Sequence, residues 1–168
     1  DAGLAHLKQL TNLQELSLSY TRVSDAGLKH LQDLSGLTSL NLGRTRVTGP
    51  GLAVLKQLPN LRELELSGSS ITDAGLENLS RLSKLEVLRL KGTAVTSAGL
   101  PHLTSLESLK EVTLPQGVLS DKKSLERLEK AAWLQPLLYT AAADGDVEGV
   151  RLLISKGVDV DATDDGGL

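Results

Sequence analysis

The chain has no cysteine, methionine or phenylalanine, and with one tryptophan and two tyrosines its aromatic share is only 2% of 168 residues. Without cysteine it has neither disulfide staples nor thiolate metal sites. That lack is compatible with a reducing compartment and favours a cytoplasmic one. No apolar run approaches the roughly 20 residues that span a bilayer. An excess of basic charge is missing too: 18 Lys and Arg face 21 Asp and Glu, a formal charge of −3. This argues against a nucleic-acid binder, which would usually carry a basic face. Signatures of catalysis are also wanting, with no Gly-x-Ser-x-Gly, phosphate-cradling glycine loop or metalloprotease motif. No enzymatic activity and no cofactor is expected.

With aromatics scarce, leucine must fill the core, and it does so at a fixed period. Leu61-Arg62-Glu63-Leu64-Glu65-Leu66 opens a unit that recurs every 24 residues, at Leu13, Leu37, Leu85 and Leu109. Within a unit, Leu16 and Leu18 stand two apart, the period of a strand with one buried face. Leu28, Leu31 and Leu34 then stand three apart, one stripe of a helix or of a tight 3₁₀ coil. Ser24-Asp25, Thr72-Asp73 and Thr96-Ser97 mark the turn between them, where a hydroxyl can cap the helix start. Glycine returns at Gly3, Gly27, Gly51, Gly75 and Gly99, a costly residue inside a helical turn. Close approach between stacked coils is the favoured reason, because Ala26, Ala74 and Ala98 beside it are small as well. One unit offers about seven apolar slots worth roughly 1.5–3 kcal/mol each. Ordering its backbone costs on the order of 1–2 kcal/mol per residue. A lone unit therefore cannot fold, and neighbours must share one leucine column.

This pattern resembles a leucine-rich repeat array of the Thr-Asp-Ala-Gly-Leu type, related to the cysteine-containing repeats of ubiquitin-ligase substrate adaptors. The match runs over residues 1–119. The resemblance implies an α/β solenoid with parallel strands on the concave face and helices on the convex face. Two departures stand out. Thr21, Thr45, Ser69 and Thr93 replace the usual Asn or Cys, which points to a hydroxyl ladder bonding loop backbone. Gly49-Pro50 replaces Asp-Ala in the second unit. Asp1-Ala2-Gly3-Leu4 matches Asp25-Ala26-Gly27-Leu28, so the chain is expected to open inside a repeat, as a fragment.

After Leu114 the pattern fails at Pro115-Gln116-Gly117. Residues 120–135 read as a capping and linker segment, with an amphipathic helix at about 121–133 closing the column. Trp133 is expected where the two halves of the chain meet. Residues 136–168 resemble one all-α ankyrin repeat, on Ala141-Ala142, Gly145, Leu152-Leu153 and the Gly157-x-Asp159-x-x-Ala162 loop. Pro136-Leu137-Leu138-Tyr139 departs from that family's Thr-Pro-Leu-His, and Gly149 replaces a usual helix former. Further ankyrin repeats are expected downstream.

Families that combine these two repeats imply an interaction scaffold binding a protein partner. The alternative is a spacer or regulatory region of a larger enzyme or of a ubiquitin-ligase-like substrate adaptor. Strand residues alternating with the leucines face the concave side. The candidate partner-binding residues are Glu15, Ser17, Tyr20, Asn41, Arg44, Glu63, Glu65, Arg89 and Lys91. Tyr20 and Arg44 are the expected anchors, since both residue types are enriched at interface hot spots. Glu65 is expected beside Arg89. A solvated face with lateral ion pairs accounts for the same residues equally well. Arg22, Arg44 and Arg46 form a small basic cluster, and His6, His30 and His102 share one slot without a carboxylate in register to complete a metal site.

Overall fold

The computed structural model describes residues 1–120 and 134–160. Five three-residue strands form one parallel sheet in chain order: β1 (Glu15–Ser17), β2 (Ser39–Asn41), β3 (Glu63–Glu65), β4 (Val87–Arg89) and β5 (Glu111–Thr113). Leu16, Leu40, Leu64, Leu88 and Val112 stand opposite one another across the ladder. Their side chains point inward together, so the 24-residue repeat of the sequence is the register of the sheet. Leu37, Leu61, Leu85 and Leu109 are at most 3% exposed, and Leu13 packs partly buried against the same continuous core.

The convex side is wound more tightly than a row of α-helices. Only single turns, α1 (Asp25–Leu28) and α2 (Asp73–Leu76), are α-helical; the other units use 3₁₀ turns such as Gly49–Gln57 and Ser97–Leu103. The three-residue leucine spacing explains this, since 3.0 residues per turn keeps Leu28, Leu31 and Leu34 on one line. All three are fully buried.

The expected hydroxyl cap forms only at Thr96, which accepts from the Ala98 N–H at 3.2 Å. The hydroxyls of Ser24, Thr48 and Thr96 itself donate to an aspartate of the preceding unit. Asp1 accepts from the Ser24 N–H at 2.8 Å and from its hydroxyl at 2.5 Å. Asp25 accepts from the Thr48 N–H at 2.7 Å and from the Thr48 hydroxyl. Asp73 accepts from the Thr96 N–H at 2.7 Å and its hydroxyl at 2.6 Å. A charged acceptor makes roughly twice as strong a bond as a neutral one, so the carboxylate sets where each hydroxyl proton points, and at Thr96 the oxygen still accepts the capping N–H. The recurring glycine makes room for the carboxylate: a Cβ on Gly51 would lie 2.2 Å from Asp25 Oδ1, and one on Gly99 2.4 Å from Asp73 Oδ1. Gly3, in the first turn, has nothing within 4 Å of its Cβ position. Gly49 stands where this aspartate should, and there the coils close up until a Cβ on Gly75 would meet Gly49 Cα at 2.8 Å.

We expect Asp25→Ala to lower stability by about 1.5–3 kcal/mol, the range for hydrogen bonds to charged groups. Asp33→Ala, which breaks an exposed 3.7 Å pair with Lys8, should cost under about 1 kcal/mol. Urea midpoints compare the two.

A second ladder satisfies the loops above the strands. Thr21, Thr45, Ser69 and Thr93 donate their hydroxyls to the carbonyls of Leu18, Leu42, Leu66 and Leu90 at 2.6, 2.7, 2.5 and 2.7 Å. Thr45 and Ser69 are buried, so an unbonded hydroxyl would be costly there.

At the far end, α3 (Leu134–Ala143) and α4 (Val147–Ser155) pack on each other across a turn at Gly145, whose φ is +70°. Asp146 caps α4 by accepting from the Gly149 N–H at 2.9 Å. Helix α3 packs on β5, and Thr140 donates its hydroxyl to the Val112 carbonyl at 2.8 Å. Leu134, Leu137, Leu138, Ala141 and Leu153 join the repeat core. Gly149, a departure at the level of sequence, gains a reason: a Cβ there would lie 3.1 Å from Leu119 Cβ. The cap helix expected at 121–133, with Trp133, lies outside the described residues.

Candidate functional site

Five strands in one register turn their non-leucine side chains to a common concave face. Glu15 stands beside Ser39 and Ser39 beside Glu63, while Ser17, Asn41 and Glu65 form the next row. Glu63 accepts from the Ser39 hydroxyl at 3.3 Å, and Glu65 Oε1 accepts from the Ser67 N–H at 2.5 Å.

Immediately above the strands the chain turns through a left-handed residue. In later units that residue is glycine, Gly68 at φ +68° and Gly92 at φ +70°; in the first two it is Tyr20 at +58° and Arg44 at +54°. A side chain in that region is disfavoured by roughly 1–2 kcal/mol. Tyr20 is 76% exposed, and the Arg44 guanidinium carbon lies 5.2 Å from its ring centroid. Gly68 admits the stem of Arg44, whose Cγ would be 2.9 Å from a Cβ there. The stem is thus wedged over glycine while the head group covers tyrosine, a cation–π contact worth about 0.5–1 kcal/mol when exposed. Tyr20, Asn41, Arg44 and Glu65, with Ser19 and Ser67, line a shallow hollow of about 260 Å³.

Of the residues singled out by sequence, this brings Tyr20, Asn41, Arg44 and Glu65 together. Glu15 and Ser17 on β1 and Glu63 on β3 lie on the same face, outside the hollow. Glu65 and Arg89 are neighbours in register, yet the expected pair does not form: Arg89 turns to Glu111 on the other side at 2.9 Å. Glu65 is already engaged by the Ser67 N–H. Lys91 leaves the face to reach Asp144 at 2.8 Å, after helix α3. Arg22 and Arg46 are exposed in the loops, outside the hollow. Among the described residues no group of His, Asp and Glu could hold a metal ion. Sequence reasoning missed a second hollow of about 280 Å³, floored by Leu114, Leu137 and Ala141. Only the docking of α3 against the last coil creates it.

Below the face, Glu86 receives both Lys110, at 3.0 Å, and Arg62. These bonds, that from Lys110 first, hold its carboxyl below the usual carboxylate range. A depressed folded value contributes stability at pH above the ordinary range and loses it as pH falls through the folded value. The difference in urea midpoint between the wild type and Glu86→Gln should therefore shrink on acidification and stay constant from neutral pH upward.

The family profile for the leucine-rich repeats of the FBD-associated F-box protein At5g56370 matches residues 2–140. The chain belongs to the leucine-rich repeat family. Among solved structures, internalin C2 of Listeria monocytogenes is 28% identical with a TM-score of 0.59, over 74% of this chain and 51% of its own. A leucine-rich repeat protein of Leptospira interrogans is 23% identical with a TM-score of 0.55, over 66% of this chain and 27% of its own. The repeat array here thus spans about half of the first protein and about a quarter of the second. No curated protein matches. Among the described residues no helix of this leucine-rich repeat protein is long and apolar enough to cross a membrane.

Proposed function

We propose that this chain is an interaction scaffold that binds a protein partner through its concave face, centred on Tyr20 and Arg44. The observation that carries the reading is their left-handed backbone. Glycine serves that turn in later units, so two side chains are retained where the fold disfavours them, and strain of this kind concentrates at binding sites. The scaffold is read as non-catalytic, its carboxylates lying on open faces instead of in the buried settings that tune an acid or base.

The helix pair α3–α4 is read as one ankyrin repeat that extends the surface. Its Gly145 turn, its paired leucines at Leu152 and Leu153 and its packing on β5 support this. A second reading, an arm of a ubiquitin-ligase-like substrate adaptor, is favoured by the F-box protein named in the matched family.

The test begins with peptides selected on the chain from a displayed random library. Arg44→Gly should leave stability within about 1 kcal/mol, because relief of the left-handed cost offsets the lost cation–π contact and the added chain entropy. The same variant, and Tyr20→Ala, should weaken the selected peptides by at least about tenfold. Unchanged affinity in both would sink the assignment of the face.

A further inference from the structure

We propose that one extended protein segment spans the two hollows, with one residue on Tyr20 and Arg44 and an apolar side chain in the hollow floored by Leu114, Leu137 and Ala141. This rests on the reading of the concave face as the binding surface and adds the shape and chemistry of what it holds.

The repeat itself lines the hollows up. The first is walled by Ser19-Tyr20, Gly43-Arg44 and Ser67. Pro115-Gln116, in the wall of the second, occupy the same repeat slot in the last unit. From Arg44 to Gln116 is three strand spacings, about 14 Å. An extended chain rises about 3.3 Å per residue, so about four or five residues cover the distance. The slots between hold glycine, Gly68 and Gly92, and raise no side chain on that line. Lys91, beside Gly92, reaches Asp144 in the wall of the second hollow, which places that wall on the rim of the same face.

A main-chain donor is left over on this line. The N–H groups of Tyr20, Arg44 and Gly68 each bond a carbonyl one unit on, at 3.0, 2.8 and 2.8 Å. The Gly92 N–H has no such partner among the described residues: the chain leaves the repeat there, and the Pro115 carbonyl accepts from the Val118 N–H at 3.4 Å. Gly92 is exposed, so its N–H is open to a carbonyl of the bound segment. Main-chain bonds of this kind hold extended peptides, and pockets for their side chains select among them.

In the second hollow the charges are already engaged. Asp144 pairs with Lys91, Asp146 takes the Gly149 N–H, and Glu148 pairs with Arg151. Leucine and alanine lie beneath, and Val147 in the wall is 60% exposed. The hollow therefore suits an uncharged side chain of leucine or phenylalanine size.

Peptides selected on the wild-type chain from the displayed library, labelled for fluorescence anisotropy, test this. Val147→Glu sets a charge in the apolar wall, and a carboxylate suits the first turn of a helix. Gly92→Tyr sets a ring on the line between the hollows; Tyr20 holds that slot in the first unit, and a Cβ on Gly92 would lie 3.8 Å from its nearest neighbour. Each should weaken the peptides by at least about tenfold, as should removing residues from either end of the peptide. Arg81→Glu, outside both hollows, should change nothing. Thermal melts check the folding of the variants, and if either fails to fold the shortened peptides decide. Peptides that need Tyr20 but ignore Gly92→Tyr, Val147→Glu or the loss of one end would overturn the span while leaving the concave face as the binding surface. Equal weakening by Arg81→Glu would overturn the span as well. Peptides indifferent to both Tyr20→Ala and Arg44→Gly, or no peptide selected at all, would overturn both readings.

Discussion

Leu64→Ala is expected to lower the stability of the array by about 3–4 kcal/mol, within the range for truncating a fully buried leucine. Leu64 is 0% exposed, and its strand lies at the centre of the sheet between Leu40 and Leu88. The lost side chain leaves a cavity that both neighbouring coils line, and neither can collapse into it without shifting its own strand. In a stacked array each unit is held by its neighbours, so a central defect weakens two interfaces at once. Leu16→Ala makes the same chemical change on β1, where the side chain is half-buried and paired on one side only. It should cost about 1–2 kcal/mol. Urea unfolding of both variants gives the comparison. Equal losses would mean that the leucines do not form one shared column. A broadened or two-step transition for Leu64→Ala alone would show the array parting at its middle, where two-state behaviour ends.

That column, the sheet order and the register were all readable before any coordinates, because they follow from a single period. A step of 24 places Leu16 on Leu40 and Glu63 on Val87 without further information. What escaped were choices between two local partners. Arg89 has a carboxylate on either side, and the bond from the Ser67 N–H to Glu65 tilts the choice to Glu111. The hydroxyls of Ser24 and Thr48 had a local cap on offer, but a charged acceptor one unit back presents itself only once the coils stack. The turn geometry lay closer to hand. Slots 20, 44, 68 and 92 read Tyr, Arg, Gly and Gly, and two glycines in such a turn already signal a positive φ. Tyr20 and Arg44 stand out in the sequence by their side-chain chemistry, and the structure adds the left-handed backbone they share. The docking of α3 on β5 and the hollow beneath it had no period to betray them, since that contact joins segments of unrelated pattern.

Gly75→Ala is expected to cost about 2–3 kcal/mol, the upper range for forcing extra volume into a packed interior. The added carbon would lie 2.8 Å from Gly49 Cα and 3.2 Å from a methyl carbon of Ile71. The first neighbour is backbone, which cannot swing aside, so relief requires the second and third coils to separate. Gly51→Ala meets the end of the Asp25 carboxylate, at 2.2 Å, before it meets backbone. It can be relieved partly by giving up the bonds that Asp25 makes to Thr48. Its cost should therefore resemble that of Asp25→Ala, and the two substitutions combined should cost less than their sum, because they break the same interaction. No such coupling joins Gly75→Ala to Asp25→Ala. Gly3→Ala, with nothing within 4 Å, should be neutral or stabilising by up to about 1 kcal/mol, as alanine favours the helical turn. Thermal melts of this set distinguish two causes for the recurring glycine. A graded loss of Gly75, then Gly51, then Gly3 means that the neighbouring coil dictates it. A uniform loss at all three would place the cause in the backbone angles of the turn itself.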